Sequence, residues 1–167
     1  MRRLRYLTLT SKDRELAYWR VQRDEFLANP PEGRAHLGGL GYPDPEIFEW
    51  CDRINALPGI CTLQSCCGHI HPDGGMSSGN LWLWFSEPVS VAFDRHAMEL
   101  ARQPCCRDER VRRIYHDNGQ EIADLTFKGM ERGEPQFRAS METIVLFLRQ
   151  LLGIGRLRRA NGRISRV

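Results

Sequence analysis

Five sulfur or imidazole side chains fall within eleven positions, Cys61, Cys66, Cys67, His69 and His71. Thiolate and imidazole are the donors that zinc takes. A thiolate beside an imidazole and a ring of backbone N–H groups is equally the arrangement of an activated nucleophile. On the second reading Cys66 is the reactive thiol, with Ser65 and His69 beside it. The spacing matches no zinc ribbon, because paired C-x-x-C knuckles are absent and Cys61 and Cys66, an odd number apart, face opposite sides of an extended strand. A bland alternative is that Cys61 and Cys66 simply fill a tight core, as free cysteines commonly do. The six cysteines include two adjacent pairs, Cys66-Cys67 and Cys105-Cys106, and neighbouring side chains diverge too far to bridge readily.

The elements that must position these residues are legible from periodicity and punctuation. Thr10 or Ser11 caps a first helix running to about Asn29, with Leu16, Trp19, Phe26, Leu27 and the Arg23 stem on its apolar side. Residues 29–45 are too rich in Pro and Gly for regular structure, and the Gly38-Gly39-Leu40-Gly41 cluster follows no strand that would make it a phosphate cradle. Asp44-Pro45 starts a second helix, in which Ile47, Phe48, Trp50, Cys51, Ile54 and Leu57 recur at helical spacing up to Pro58-Gly59. A strand from Ile60 to Cys66 runs into the Cys67-Gly68-His69 turn, and a loop from His71 to Gly79 returns the chain to a strand through Leu81 and Phe85. Leu81, Leu83 and Phe85 share one face of it, Trp82 and Trp84 the other.

A third helix begins at Ser86 or Ser90 and ends before Pro104, with Val89, Phe93, Ala97 and Leu100 as its inner stripe. Asn118-Gly119 between two strand-like runs is a hairpin signal. As a two-residue loop it sets Arg113 opposite Asp124 and His116 opposite Glu121. Met141, Ile144, Val145, Leu148, Leu151 and Leu152 mark a last amphipathic helix closed by Gly153 and Gly155. The expected fold class is α+β, one mixed or antiparallel sheet built from two helix-hairpin units with packed helices. Residues 1–155 form the domain, and 156–167 a basic, flexible tail.

At 167 residues, 41% hydrophobic and 27% charged, the chain has the composition of an ordinary globular domain, which excludes fibrous and wholly disordered classes. No apolar run reaches membrane length, and the basic start lacks the apolar core of a secretory signal, so a cytoplasmic protein with reduced thiols is expected. The formal net charge is +3, and Arg156, Arg158, Arg159, Arg163 and Arg166 crowd the terminal segment without an acid among them. Lys12 and Lys128 are the only lysines, so nearly all the positive charge is guanidinium, suited to phosphate.

The run Ile54-Asn55-Ala56-Leu57-Pro58-Gly59-Ile60, then Thr62, Ser65-Cys66-Cys67-Gly68-His69 and Trp82-Leu83-Trp84-Phe85-Ser86-Glu87-Pro88-Val89, resembles the wybutosine-synthesis methyltransferases. The likeness extends over Glu46 to about Val89, and elsewhere covers element order alone. Ser65, Cys66 and Gly68 match the Ser, Cys and Gly of that family's Ser-Ser-Cys-Ser-Gly-Arg motif, and Trp82 and Ser86 match a later Trp and Ser. Gln64 and Cys67 each replace a Ser, His69 replaces the Arg and Glu87 a His.

The resemblance implies S-adenosylmethionine as cofactor and a tRNA base, or other RNA, as substrate. Gly68, Trp82 and Ser86 would hold the cofactor, Ser65, Cys66 and His69 would serve catalysis, and His69 would be the base that removes a proton. No metal ligand is assigned on this reading. Trp82 and Trp84 offer a stacking surface and Arg110, Arg112 and Arg113 phosphate contacts. The alternative from another class is a non-enzymatic small protein binding zinc or nucleic acid through the Cys/His loop. Neither reading sets an oligomeric state.

Overall fold

The computed structural model describes residues 10–29, 44–106, 111–115 and 121–154. The Gly38–Gly41 cluster, Arg110, His116, the Asn118-Gly119 turn and the Arg-rich tail lie outside the described residues.

The first helix, α1 (Ser11–Ala28), starts with a reciprocal cap. Thr10 Oγ1 accepts the Asp13 N–H at 3.1 Å, and Asp13 Oδ2 accepts the Thr10 N–H at 3.1 Å. Trp19 and Phe26, two turns apart, are buried. Leu27 was expected beside them, yet it is 59% exposed, because one further residue rotates the side chain about 100° round the helix. Arg23 lays its guanidinium 4.8 Å over the Trp19 ring and pairs with Asp52 at 2.8 Å, tying α1 to α2 (Phe48–Asn55). A single 3-10 turn, Pro45–Ile47, precedes α2. Ile47, Cys51 and Ile54 are fully buried, as their spacing requires.

Asn55, the last residue of α2, joins it to β1 (Ile60–Cys66). Its amide oxygen accepts the Thr62 N–H at 2.8 Å, and its Nδ2 donates to Thr62 Oγ1 at 2.9 Å. The loop after β1 carries a two-stranded ribbon, β2 (His69–Ile70) with β3 (Met76–Ser77), which periodicity did not reveal because each strand is only two residues long. Then follow β4 (Gly79–Phe85), α3 (Glu87–Ala101), β5 (Val111–Tyr115), β6 (Glu121–Phe127) and α4 (Glu134–Leu151). The main sheet has the order β1-β4-β6-β5 and is antiparallel throughout, so the two hairpins share one sheet across β4 and β6 and the fold is α+β.

One face of that sheet carries Leu81, Leu83, Phe85, Ala123, Leu125 and Phe127, all in the core. Ring contacts join it to the helices, Phe85 to Phe93 at 5.0 Å, Phe93 to Phe147 at 6.2 Å and Phe127 to Phe137 at 6.4 Å. Each ring so buried contributes about 1.5–3 kcal/mol. No helix among the described residues is long and apolar enough to cross a membrane.

Two strand details correct the expected geometry. Arg112, not Arg113, stands opposite Asp124, a one-residue shift of the hairpin register. Arg112 Nε then meets Asp124 Oδ2 at 3.1 Å, while Arg113 points to the helix side, bonded to Asp94 at 2.9 Å and to the Ser90 carbonyl at 2.8 Å. A β-bulge between Thr62 and Gln64 also changes the parity of β1. Cys61 pairs with Trp84 and Cys66 with Asn80, so both cysteines share the face of Trp82 and Trp84 instead of lying on opposite faces.

Candidate functional site

The turn after β1 is held from three directions. Asp44, at the start of the 3-10 turn, was read as a helix cap, but its carboxylate makes no capping bond. Asp44 Oδ2 instead accepts the Cys67 N–H at 2.8 Å and lies 3.3 Å from His69 Nε2. The Gly68 N–H points at Cys66 Sγ, 3.4 Å away. From below, the Met130 N–H donates to the Cys67 carbonyl at 2.6 Å, so the segment after β6 is fastened to the turn. Gly68 has φ +88°, and a Cβ there would overlap the Glu131 carboxylate and stand 2.9 Å from the Gly79 nitrogen. Only glycine fits, for conformation and for space.

These contacts bring one ligand atom each from Asp44, Cys66 and His69 within 4.8 Å of one another, all three residues half-buried. Donor atoms around a tetrahedral zinc stand about 3.3–3.8 Å apart for bonds of about 2.0–2.3 Å, so small rotations close the set. The 3.3 Å between the carboxylate oxygen and the imidazole nitrogen already matches. The Cys67 N–H orients the Asp44 carboxylate, as outer contacts do for metal ligands. In the absence of a cation, burial pushes the Cys66 thiol up to about 11, against the Gly68 N–H and with help from the Asp44 and Glu131 charges. Burial therefore acts against the reactive thiolate that the sequence places at Cys66. A bare Cys66 is a thiol at neutral pH, and a bound dication supplies what its ionisation lacks.

The residues assigned from the sequence do not gather into one pocket. Cys66 and His69 converge, and Gly68 shapes their turn. Ser65 pairs with Leu81 and faces the core, its hydroxyl toward the buried Cys51 thiol and away from the Cys66 side of the strand. Trp82, opposite Gln64, shares the Cys66 face. Ser86 begins α3 at the other end of β4, where its N–H bonds the Gly59 carbonyl at 2.8 Å. Six residues at about 3.3 Å each separate it from Asn80, the partner of Cys66. His71 is exposed in the ribbon turn, and Cys61 and Cys67 are buried. Arg112 and Arg113 are engaged with carboxylates of the protein itself.

Asp44 and Glu131 are the site residues that sequence reasoning missed. Asp44 precedes Pro45 and carries every mark of a helix start, so its 22-residue reach to Cys66 was hidden. Glu131 sits in a Gly-Met-Glu-Arg-Gly stretch with no periodicity at all. Comparison with protein families, with curated proteins and with solved structures finds no match to this chain.

Proposed function

We propose that the protein binds a divalent transition metal, with zinc as the best fit, through Asp44, Cys66 and His69. The observation that carries this reading is the convergence of carboxylate, thiol and imidazole within 4.8 Å at a turn that a carboxylate and a glycine already hold in place. The donor set is borderline in softness, which suits zinc over magnesium or calcium. The test is metal content after dialysis against zinc, together with cobalt substitution. A stoichiometric metal and a thiolate-to-cobalt absorption band are expected, both lost in Cys66→Ser and His69→Ala. A folded protein that takes up no metal overturns the reading.

A second reading, an S-adenosylmethionine-dependent methyltransferase acting on an RNA base, rests on the resemblance of residues 46–89. One observation favours it: the bulge in β1 aligns Cys66 with Trp82 and Trp84 on one sheet face, so an aromatic surface runs up to the turn. Against it stand the separation of Ser86 and the inward direction of Ser65. Calorimetric titration with S-adenosylmethionine distinguishes the two. Saturable heat that disappears in Trp82→Ala supports the transferase, and a folded sample giving no heat removes it.

A further inference from the structure

The second adjacent pair, Cys105-Cys106, takes no part in the Asp44-Cys66-His69 centre. Two turns after α3 fix its backbone. The Gln103 N–H donates to the Leu100 carbonyl at 2.9 Å and the Cys106 N–H to the Gln103 carbonyl at 3.0 Å, while the Lys128 N–H, just past β6, holds the Cys105 carbonyl at 2.9 Å. Both side chains lie in the hydrophobic cluster, 3% and 1% exposed, with their sulfurs 3.6 Å apart. The Lys128 ammonium returns to the same stretch, donating to the Pro104 carbonyl at 2.9 Å, and is a favourable charge beside Cys105.

A disulfide needs its sulfurs about 2.05 Å apart, and adjacent side chains diverge instead of closing to that distance. An ion needs the wider spacing. With metal–sulfur bonds of about 2.3 Å, two thiolates on one ion stand about 3.8 Å apart at the tetrahedral angle and about 4.6 Å apart on a line. The pair has only to open, the direction in which neighbouring side chains already lean. Thiolates select monovalent copper, zinc or iron–sulfur clusters. Structural zinc and clusters take four protein ligands, and among the described residues no further Cys, His, Asp or Glu gathers with this pair toward such a set. Monovalent copper, a soft closed-shell ion, is satisfied by two sulfurs. We propose that Cys105 and Cys106 form a two-thiolate site for copper(I), separate from the Asp44-Cys66-His69 centre and independent of it. Binding forms two Cu–S bonds and releases the two thiol protons to solvent. Copper stays monovalent, so no oxidant or reductant is required. The bis-thiolate complex carries one negative charge, which the Lys128 ammonium offsets, and the apolar surroundings limit solvent access to the ion.

The experiment presents the full, reduced chain with copper(I) as its ferrozine complex, under nitrogen with ascorbate, and reads the bleaching of that complex. The native chain and Cys66→Ser should each withdraw one copper at the pair. Cys105→Ser and Cys106→Ser, checked for folding by circular dichroism, should lose that uptake by more than about 100-fold, beyond an outer-shell effect. X-ray absorption on the copper-loaded Cys66→Ser chain should show two sulfur donors and no nitrogen or oxygen, a readout that does not depend on the pair variants folding. A folded native chain that withdraws no copper overturns the site and leaves the pair as core filling. Uptake that persists in folded Cys105→Ser and disappears in Cys66→Ser overturns it as well, since the ion then belongs to the other turn. A nitrogen donor in the absorption spectrum does the same.

Discussion

The chain holds two pairs of adjacent cysteines, and the fold treats them in opposite ways. At Cys66-Cys67 the pair straddles the sheet end, with Cys66 half-buried in the turn beside Asp44 and His69 and Cys67 in the hydrophobic core. At Cys105-Cys106, in the turns after α3, both residues are buried and their sulfurs lie 3.6 Å apart, within reach of a thiol–thiol hydrogen bond. Burial raises both thiols of the first pair. Cys105 is lowered instead, first by the hydrogen bond from Cys106, which acts against burial together with smaller contributions from the Thr143 hydroxyl and the Lys128 ammonium. An adjacent pair thus has no chemistry of its own. The neighbours decide, carboxylates in one place and donors in the other.

The largest expected difference lies in metal affinity. Cys66→Ser should weaken zinc or cobalt binding by more than about 100-fold, beyond the usual effect of an outer-shell change. Cys105→Ser should leave it unaltered, as equilibrium dialysis would read. Equal losses in the two variants would erase the contrast between the pairs.

A trivalent arsenical probes the other pair. Phenylarsine oxide forms two As–S bonds to a close dithiol, and the two thiol protons leave with its oxygen as water. Intact mass should show one adduct on the metal-loaded chain, absent in Cys105→Ala and retained in Cys67→Ala. An adduct that survives Cys105→Ala breaks the assignment.

Gly68→Ala sharpens the comparison by moving the first turn alone. Positive φ and the overlap with Glu131 should cost about 2–3 kcal/mol, measured by urea unfolding. Gly74→Ala, also at positive φ but with nothing within 4 Å, should cost less. The smallest effect is a pH slope. Cys51 and Cys61 are pushed up to about 12, and Cys66 to about 11, so these thiols ionise in the unfolded chain near 9 but not in the folded one. The folded chain then holds more protons, so their contribution is complete below pH 9 and is lost as pH rises toward 11 and 12. Tm of the metal-free protein should fall across that window. Cys66→Ser should flatten the fall slightly, whereas Cys105, lowered, cannot contribute to it.

Much of the frame was legible because it obeys one-dimensional rules. Ile47, Cys51 and Ile54 recur at helical spacing and are all fully buried, and Leu81, Leu83 and Phe85 alternate with half-buried Trp82 and Trp84. The bounds of β1, Ile60 to Cys66, followed from a β-rich run between Pro58-Gly59 and Gly68. The hairpin register was off by one because a turn signal states that the chain reverses, not how many residues the reversal takes.

Composition and period by themselves determined an α+β domain, its helix faces and the unusual density of thiols and imidazoles near residue 66. Tertiary structure decided which of them meet. The bulge at residues 62–64 turned Cys66 toward the tryptophan face, and the 3-10 turn at Pro45 swung Asp44 away from capping and onto the Cys67 N–H. Packing of Gly129 against Cys67 brought in Glu131 from beyond β6. Convergence of that kind depends on where backbones touch in space, and side-chain spacing along a chain carries no record of it.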